Sequence, residues 1–123
     1  MNETEAIHYS RKISAKEAIV DFSKYCKLVV AKLGKNGSIA ISDGKEYEAS
    51  SYHVTAVDTT GAGDSFNAGF IYGFLKGKTV MECLKYGNGC GALSVTELGG
   101  NTGFPTEEEL SEFIKEQEGR ELT

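Results

Sequence analysis

The stretch that decides the fold is "VDTTGAGDSF", Val57 to Phe66, which runs directly into "NAGFIYGFLKG". A Gly-Ala-Gly turn suits backbone angles that other residues avoid, and it lets another molecule come close to the main chain. Beyond it apolar residues recur at helical spacing, with Phe66, Phe70, Ile71 and Phe74 forming a stripe. The stretch therefore reads as strand or loop, tight turn, then the first turn of a buried helix. Unbonded N–H groups at such a start attract an anion. Asp64 stands in that place, where its carboxylate would repel a phosphate unless it had a task of its own. From the residues alone it is either an N-cap, for which Asp is well suited, or a group that acts on whatever binds there.

Upstream, Glu3 to Ser10 reads as a short helix, and "SAKE" (Ser14 to Glu17) is a capping box opening a helix to about Tyr25. "KLVVAKL" (Lys27 to Leu33) has the unbroken apolar centre of a strand covered on both faces. "GKNG" (Gly34 to Gly37) is a turn. "SIAIS-DG-KEYEA" carries a hairpin signal with Asp43-Gly44 at its tip, and "YHVTAV" alternates weakly. Downstream, capping boxes at "TVME" (Thr79 to Glu82) and "TEEE" (Thr106 to Glu109) open two more helices, the first running to about Val95. Its interior "GNGCGAL" is rich in glycine, each costing about 0.5–1 kcal/mol relative to Ala. Either a packed neighbour or a ligand must therefore approach that backbone closely.

Composition narrows the class. At 123 residues the chain is one domain's worth of sequence, and 40% apolar with 25% charged residues is ordinary globular usage. A net charge of −5 offers no footprint for nucleic acid or an anionic membrane. An anionic ligand would have to rely on local N–H groups, lysines or a metal. Cys26, Cys83 and Cys90 fit no zinc spacing, and an odd count argues against a disulfide framework. Cys83 and Cys90, seven apart, read as small buried hydrophobes. His8 and His53 have no partner at a telling spacing. No apolar run is long enough to span a bilayer or to form a signal-peptide core, so a cytoplasmic protein with no membrane partner is the expectation.

Two phosphate motifs fail. "GKT" (Gly77 to Thr79) could end a P-loop, but Tyr72 stands where its first glycine belongs and the preceding element reads as helix. Gly61 and Gly63 could begin a dinucleotide fingerprint, but Phe66 occupies the third glycine position. The nonapeptide "DTTGAGDSF" is more specific. It resembles the second signature of the ribokinase-like carbohydrate kinases, the phosphofructokinase B family, and the likeness continues through "NAGF". "NETE" (Asn2 to Glu5) is similar to that family's N-x-x-E motif, "AKLGKNGS" to its nucleotide-side strand and turn, and "GALSVTELGGNTGFP" to its cation and adenine loop.

The resemblance implies an α/β fold, the C-terminal portion of a ribokinase-like three-layer α/β/α architecture, and ATP-dependent phosphorylation of a sugar hydroxyl. It implies that the N–H groups of Gly61, Ala62 and Gly63 form an anion hole for the γ-phosphoryl, with Asp64 as the base for the attacking hydroxyl. Fixed donors and an oriented carboxylate are what phosphoryl transfer needs. Asp58 would be a monovalent-cation ligand (K⁺ being the ion) beside the Thr60 carbonyl. Ser94, Glu97, Gly99 and Gly103 would supply further carbonyls, Gly103 standing where some members place a serine. Asn2 and Glu5 would hold water around Mg²⁺ and the phosphates of ATP. Lys32, Gly34 and Gly37 match nucleotide-side positions, and Asn88 lies on the helix flanking the adenine. Read without the resemblance, Asp58 is equally a turn residue, Asn2 and Glu5 a helix start, and Asn88 a satisfied polar group.

The family's sugar-binding residues and lid lie in an N-terminal half that has no counterpart in these 123 residues. The expectation is thus a single nucleotide-binding and catalytic portion over residues 1–123, inactive alone, whose open sheet edge favours self-association. The alternative is a non-catalytic nucleotide-binding or self-associating fragment.

Overall fold

The computed structural model describes residues 1–3, 5, 14–54, 62–96 and 105–121, which fall into two compact units, Met1–Ser51 and Tyr52–Thr123. In the first, helix α1 (Ala15–Phe22) starts where the Ser14 hydroxyl accepts the Glu17 N–H at 3.2 Å. It ends three residues before Tyr25, in a turn tied by N–H groups of Tyr25 and Cys26 to the Phe22 carbonyl. Strands β1 (Leu28–Lys32), β2 (Ser38–Ser42) and β3 (Lys45–Ala49) form an antiparallel sheet in the order β1-β2-β3. The β2–β3 tip is the Asp43-Gly44 hairpin, with φ of 50° and 79°, as a two-residue type I′ turn requires.

Side-chain alternation decides the burial of β1. Val29 and Ala31 point to the face that packs with Ile39, Ile41 and α1 residues Ala15, Ala18 and Ile19, whereas Leu28 and Val30 are half-buried. The uniform apolar run thus hides a two-sided strand, and the expected cover on both faces is seen fully only at β2, where Ser38 to Ile41 are all buried.

The second unit contains α2 (Ala62–Leu75), α3 (Val80–Val95) and α4 (Glu107–Glu121). α2 closes in a Schellman motif. The Lys78 N–H donates to the Gly73 carbonyl at 3.0 Å and the Gly77 N–H to Phe74 at 3.1 Å, with Gly77 at φ 74°. "GKT" is therefore a helix stop followed by the Thr79 cap, in keeping with its rejection as a phosphate loop. The glycine run in α3 is explained by neighbours. A Cβ at Gly87 would lie 2.7 Å from the Phe66 ring, and one at Gly89 would lie 2.7 Å from Leu110 of α4. From the other side, a Cβ on Gly69 of α2 would lie 2.6 Å from the Tyr86 carbonyl oxygen.

That seam corrects the stripe read from the sequence. Phe66 and Phe70 are buried, but Ile71 and Phe74 are 55% and 59% exposed. The buried face of α2 runs through Gly69 and Gly73, because their missing side chains let α3 approach. Cys83 and Cys90 fill that seam as buried thiols, both with pKa raised by burial, Cys90 to about 11. Tyr52 joins Tyr86, Cys90, Leu110 and Ile114 in one cluster, its ring edge-on to Phe113 at 5.7 Å. Among the described residues, no helix is long and apolar enough to cross a membrane.

Candidate functional site

Four helix starts among the described residues share one rule. The Glu17, Glu82, Glu109 and Glu5 N–H groups each donate to the side-chain oxygen of the residue three before, Ser14, Thr79, Thr106 or Asn2. In two of them the carboxylate also reaches back to the capping N–H. Thr106 N–H donates to Glu109 at 3.1 Å, and Asn2 N–H donates to Glu5 at 3.0 Å. Each of these two pairs closes a reciprocal cap.

α2 begins at Ala62, so Asp64 is its third residue, the place those glutamates occupy. The residue three before it is Gly61, which has no side chain to cap with. Asp64 is also one methylene shorter than glutamate. It is thus not the N-cap; it lies inside the first turn, exposed, beside exposed Gly63 and half-buried Ala62. The amides of this turn have no intrahelical acceptor and point along the helix axis, where the positive end of the dipole favours an anion. A carboxylate and a set of donors therefore stand side by side, and among the described residues no side chain is seen to cap this turn.

The end of α3 comes to this start. A Cβ at Gly91 would lie 3.5 Å from the Ala62 carbonyl oxygen, and Ser94, one turn on, donates its hydroxyl to the Gly91 carbonyl at 2.8 Å. The last carbonyls of α3 carry the negative end of its dipole, a setting that suits a cation near the Ser94 carbonyl. Sequence reasoning missed the pairing of Gly91 with Ala62, because no spacing signal reports which helices are adjacent. Asn88 is buried one turn earlier on α3. Gly61, Asp58, Thr60, Glu97, Gly99 and Gly103 lie outside the described residues.

The first unit brings together three other expected residues. Asn2 bridges Lys32 in parallel, the Lys32 N–H donates to the Met1 carbonyl at 2.7 Å, and the Asn2–Glu5 box stands beside them. Lys32 is close enough that its charge, second to burial, lowers the pKa of the Met1 ammonium. One carboxylate, one amide oxygen and a lysine form a set that fits Mg²⁺ held through water beside phosphates, since Mg²⁺ keeps most of its hydration and takes few protein ligands. Among the described residues, no cluster of three His, Cys, Asp or Glu could hold a metal directly. Gly34 (φ 59°) has open space above it. Gly37 (φ 93°) has a packing reason of its own, because a Cβ there would strike the Ala49 carbonyl at 2.1 Å. Lys32, Gly34 and Gly37 lie in one unit and Asn88 in the other.

Residues 1–115 match the pfkB family carbohydrate kinase model. The chain belongs to that family. It is 36% identical over 120 residues to a ribokinase of Haemophilus influenzae, an alignment covering 93% of this chain and 39% of the relative. A putative ribokinase II from E. coli, solved with ATP and Mg²⁺, superposes with a TM-score of 0.85 at 34% identity, covering 94% of this chain and 38% of that one. A fructokinase double mutant from Vibrio cholerae, solved with fructose, ADP and potassium, gives 0.82 at 28% identity, over 92% and 39%. The fold is that of the ribokinase-like kinases, and the chain spans about two-fifths of the length of these relatives.

Proposed function

We propose that this chain carries the nucleotide side and the catalytic base of an ATP-dependent sugar kinase acting in the cytoplasm. The observation that carries the reading is the start of α2, where Asp64 stands in the first turn beside its amides and the sequence puts glycine at the capping position. The sugar hydroxyl attacks the γ-phosphorus of ATP as the bond from that phosphorus to the β–γ bridging oxygen breaks. ADP leaves, and the hydroxyl proton passes to the Asp64 carboxylate. The N–H groups of Gly61, Ala62 and Gly63 hold the γ-phosphoryl oxygens in fixed positions, so little reorganisation accompanies the gain of charge. Lys32, Gly34, Gly37 and Asn88 line the nucleotide. Asn2 and Glu5 hold the hydration shell of Mg²⁺, an ion that neutralises phosphate charge. Asp58, Thr60, Ser94, Glu97, Gly99 and Gly103 support a K⁺ ion behind the anion hole.

The bound molecules in the E. coli and Vibrio cholerae structures support ATP, Mg²⁺, a sugar and K⁺ as the ligand set. The acceptor pocket belongs to the portion of such kinases that this chain does not span, so the 123 residues alone should not turn over. Holding reactants in line supplies about 7–11 kcal/mol of a barrier. The test places this chain in the Haemophilus influenzae ribokinase in exchange for the segment it matches, and then replaces Asp64 by Asn. Turnover should fall about 10²–10⁴-fold, with ATP affinity little changed because the amides remain. Turnover close to that of the unaltered chimera refutes Asp64 as the base.

A further inference from the structure

Three helices of the second unit meet at one carboxylate. Glu107 is the first residue of α4, where Thr106 and Glu109 already exchange the capping bonds. Glu107 is gripped from α2 instead, whose Tyr72 hydroxyl donates to its Oε2 at 2.7 Å. The Tyr72 ring stacks on Tyr86 of α3, with centroids 6.3 Å apart and planes 22° from parallel, and the Lys76 ammonium lies over the Tyr72 ring at 5.6 Å. The Tyr72 bond first, then Lys78, Lys76 and Tyr86, favours the ionised carboxylate. The α3 turn beside Tyr86 is pressed by both of the other helices. A Cβ at Gly87 would lie 2.7 Å from the Phe66 ring of α2, and one at Gly89 would lie 2.7 Å from Leu110 of α4. Asn88 is buried between those two glycines. Close packing transmits displacement, so a shift of α2 relative to α4 must move the turn that carries Asn88.

We propose that Tyr72 and Glu107 are positioning residues, whose bond sets the spacing of α2 and α4 about the Asn88 turn and with it the affinity for the base of the nucleotide. The inference rests on Asn88 as a nucleotide-lining residue and not on the chemistry proposed for Asp64. The phosphate side should be indifferent to the tie. Its amides stand at the start of α2, about 14 Å along the helix from Tyr72, while Tyr86 is two residues from Asn88. A second bond between α3 and α4 offers a comparison, because the Lys85–Glu118 ion pair, at 2.9 Å, lies near the far end of α4.

The test uses the chimera of this chain in the Haemophilus influenzae ribokinase and reads binding, not turnover. Its probes are ATP with Mg²⁺, and inorganic tripolyphosphate with Mg²⁺, which carries the phosphate chain without the base. Tyr72→Phe removes the donor, and Glu107→Ala removes the acceptor at an exposed position where the fold should survive. Each should weaken ATP at least about threefold and leave tripolyphosphate within about twofold, the size of effect found for residues that act on a site without touching its ligand. The double variant should be no weaker than either single one, because both remove the same bond. Glu107→Gln keeps an oxygen that accepts the Tyr72 hydroxyl, so ATP affinity should stay close to that of the unaltered chimera. Lys85→Ala, which breaks the ion pair at the far end of α4, should leave both affinities unchanged. The proposal is overturned if ATP affinity survives both Tyr72→Phe and Glu107→Ala, if tripolyphosphate weakens as much as ATP, if Glu107→Gln is as weak as Glu107→Ala, or if Lys85→Ala acts alike. An unaltered chimera that fails to bind ATP refutes the nucleotide reading itself, and the positioning role falls with it.

Discussion

Gly69→Ala tests the packing that holds α2 to α3. An added Cβ would lie 2.6 Å from the Tyr86 carbonyl oxygen, 2.8 Å from Cys90 Sγ and 3.0 Å from Cys90 Cβ, where ordinary contact begins near 3.4 Å. The nearest atom is backbone, so no rotamer change relieves it and the helices must part by most of an ångström. That movement loosens Phe66 against Gly87 along the same seam. Overpacking of this kind costs about 1–3 kcal/mol, offset by about 1 kcal/mol of helix propensity on going from Gly to Ala. A net loss of up to about 2 kcal/mol remains, toward the upper end because the nearest atom is backbone. Gly119→Ala is the control, because Gly119 lies in α4 with open space above it. It keeps the propensity gain without the clash. Urea unfolding reads both variants, and with a slope near 1–2 kcal/mol/M the Gly69→Ala midpoint should fall by about 1 M while the control rises. A Gly69→Ala midpoint at or above wild type would show that the helices do not meet as closely as this packing requires.

Three further outcomes follow from individual side chains. Cys26 is exposed, and burial raises the thiol pKa of Cys83 and Cys90, so a thiol reagent at neutral pH should label one of the three cysteines quickly and the others only on unfolding. The Tyr72 hydroxyl donates to Glu107 at 2.7 Å and holds that carboxyl below the usual glutamate range, while the same bond raises the pKa of Tyr72. The stabilisation is present above the unfolded glutamate pKa and lost as pH falls through the folded one. Tyr72→Phe should move the Glu107 titration, followed by NMR, upward. In the chimera, K⁺ should stimulate turnover and Asp58→Ala should remove the response; equal rates in K⁺ and a large inert cation would remove the ion from the reaction.

Elements marked by local chemistry were legible in the sequence. The caps at Ser14, Thr79 and Thr106 and the Asp43-Gly44 turn are properties of a few adjacent residues, and each stands where its pattern puts it. Features set by a distant neighbour were not. The apolar run at β1 does not tell which of its residues meet α1. Helical spacing groups Ile71 and Phe74 with Phe66 and Phe70, although Gly69 and Gly73 turn the buried face the other way. At the candidate site the motif marks the start of α2, but the approach of Gly91 to Ala62 depends on how two helices pack.

The departure at Asp64 has a consequence that separates stability from chemistry. Gly61→Ser would complete a Ser-x-x-Asp pattern like the boxes at the other helix starts, letting the new hydroxyl accept the Asp64 N–H. A serine cap exceeds a glycine cap by a few tenths of a kcal/mol, so the thermal midpoint should hold or rise slightly. The same hydroxyl stands beside the anion-hole amides, on the side where phosphate would sit. In the chimera it should hold the phosphoryl group off those amides, so turnover should fall about 10²-fold, comparable to losing one such donor, and ATP should bind more weakly. A helix start shaped only for capping would respond in the opposite sense, gaining stability with turnover intact. That result would count against the anion hole, whatever Asp64→Asn does. Lost activity with unchanged or higher stability would mean that the absent side chain at Gly61 keeps these amides free for phosphate.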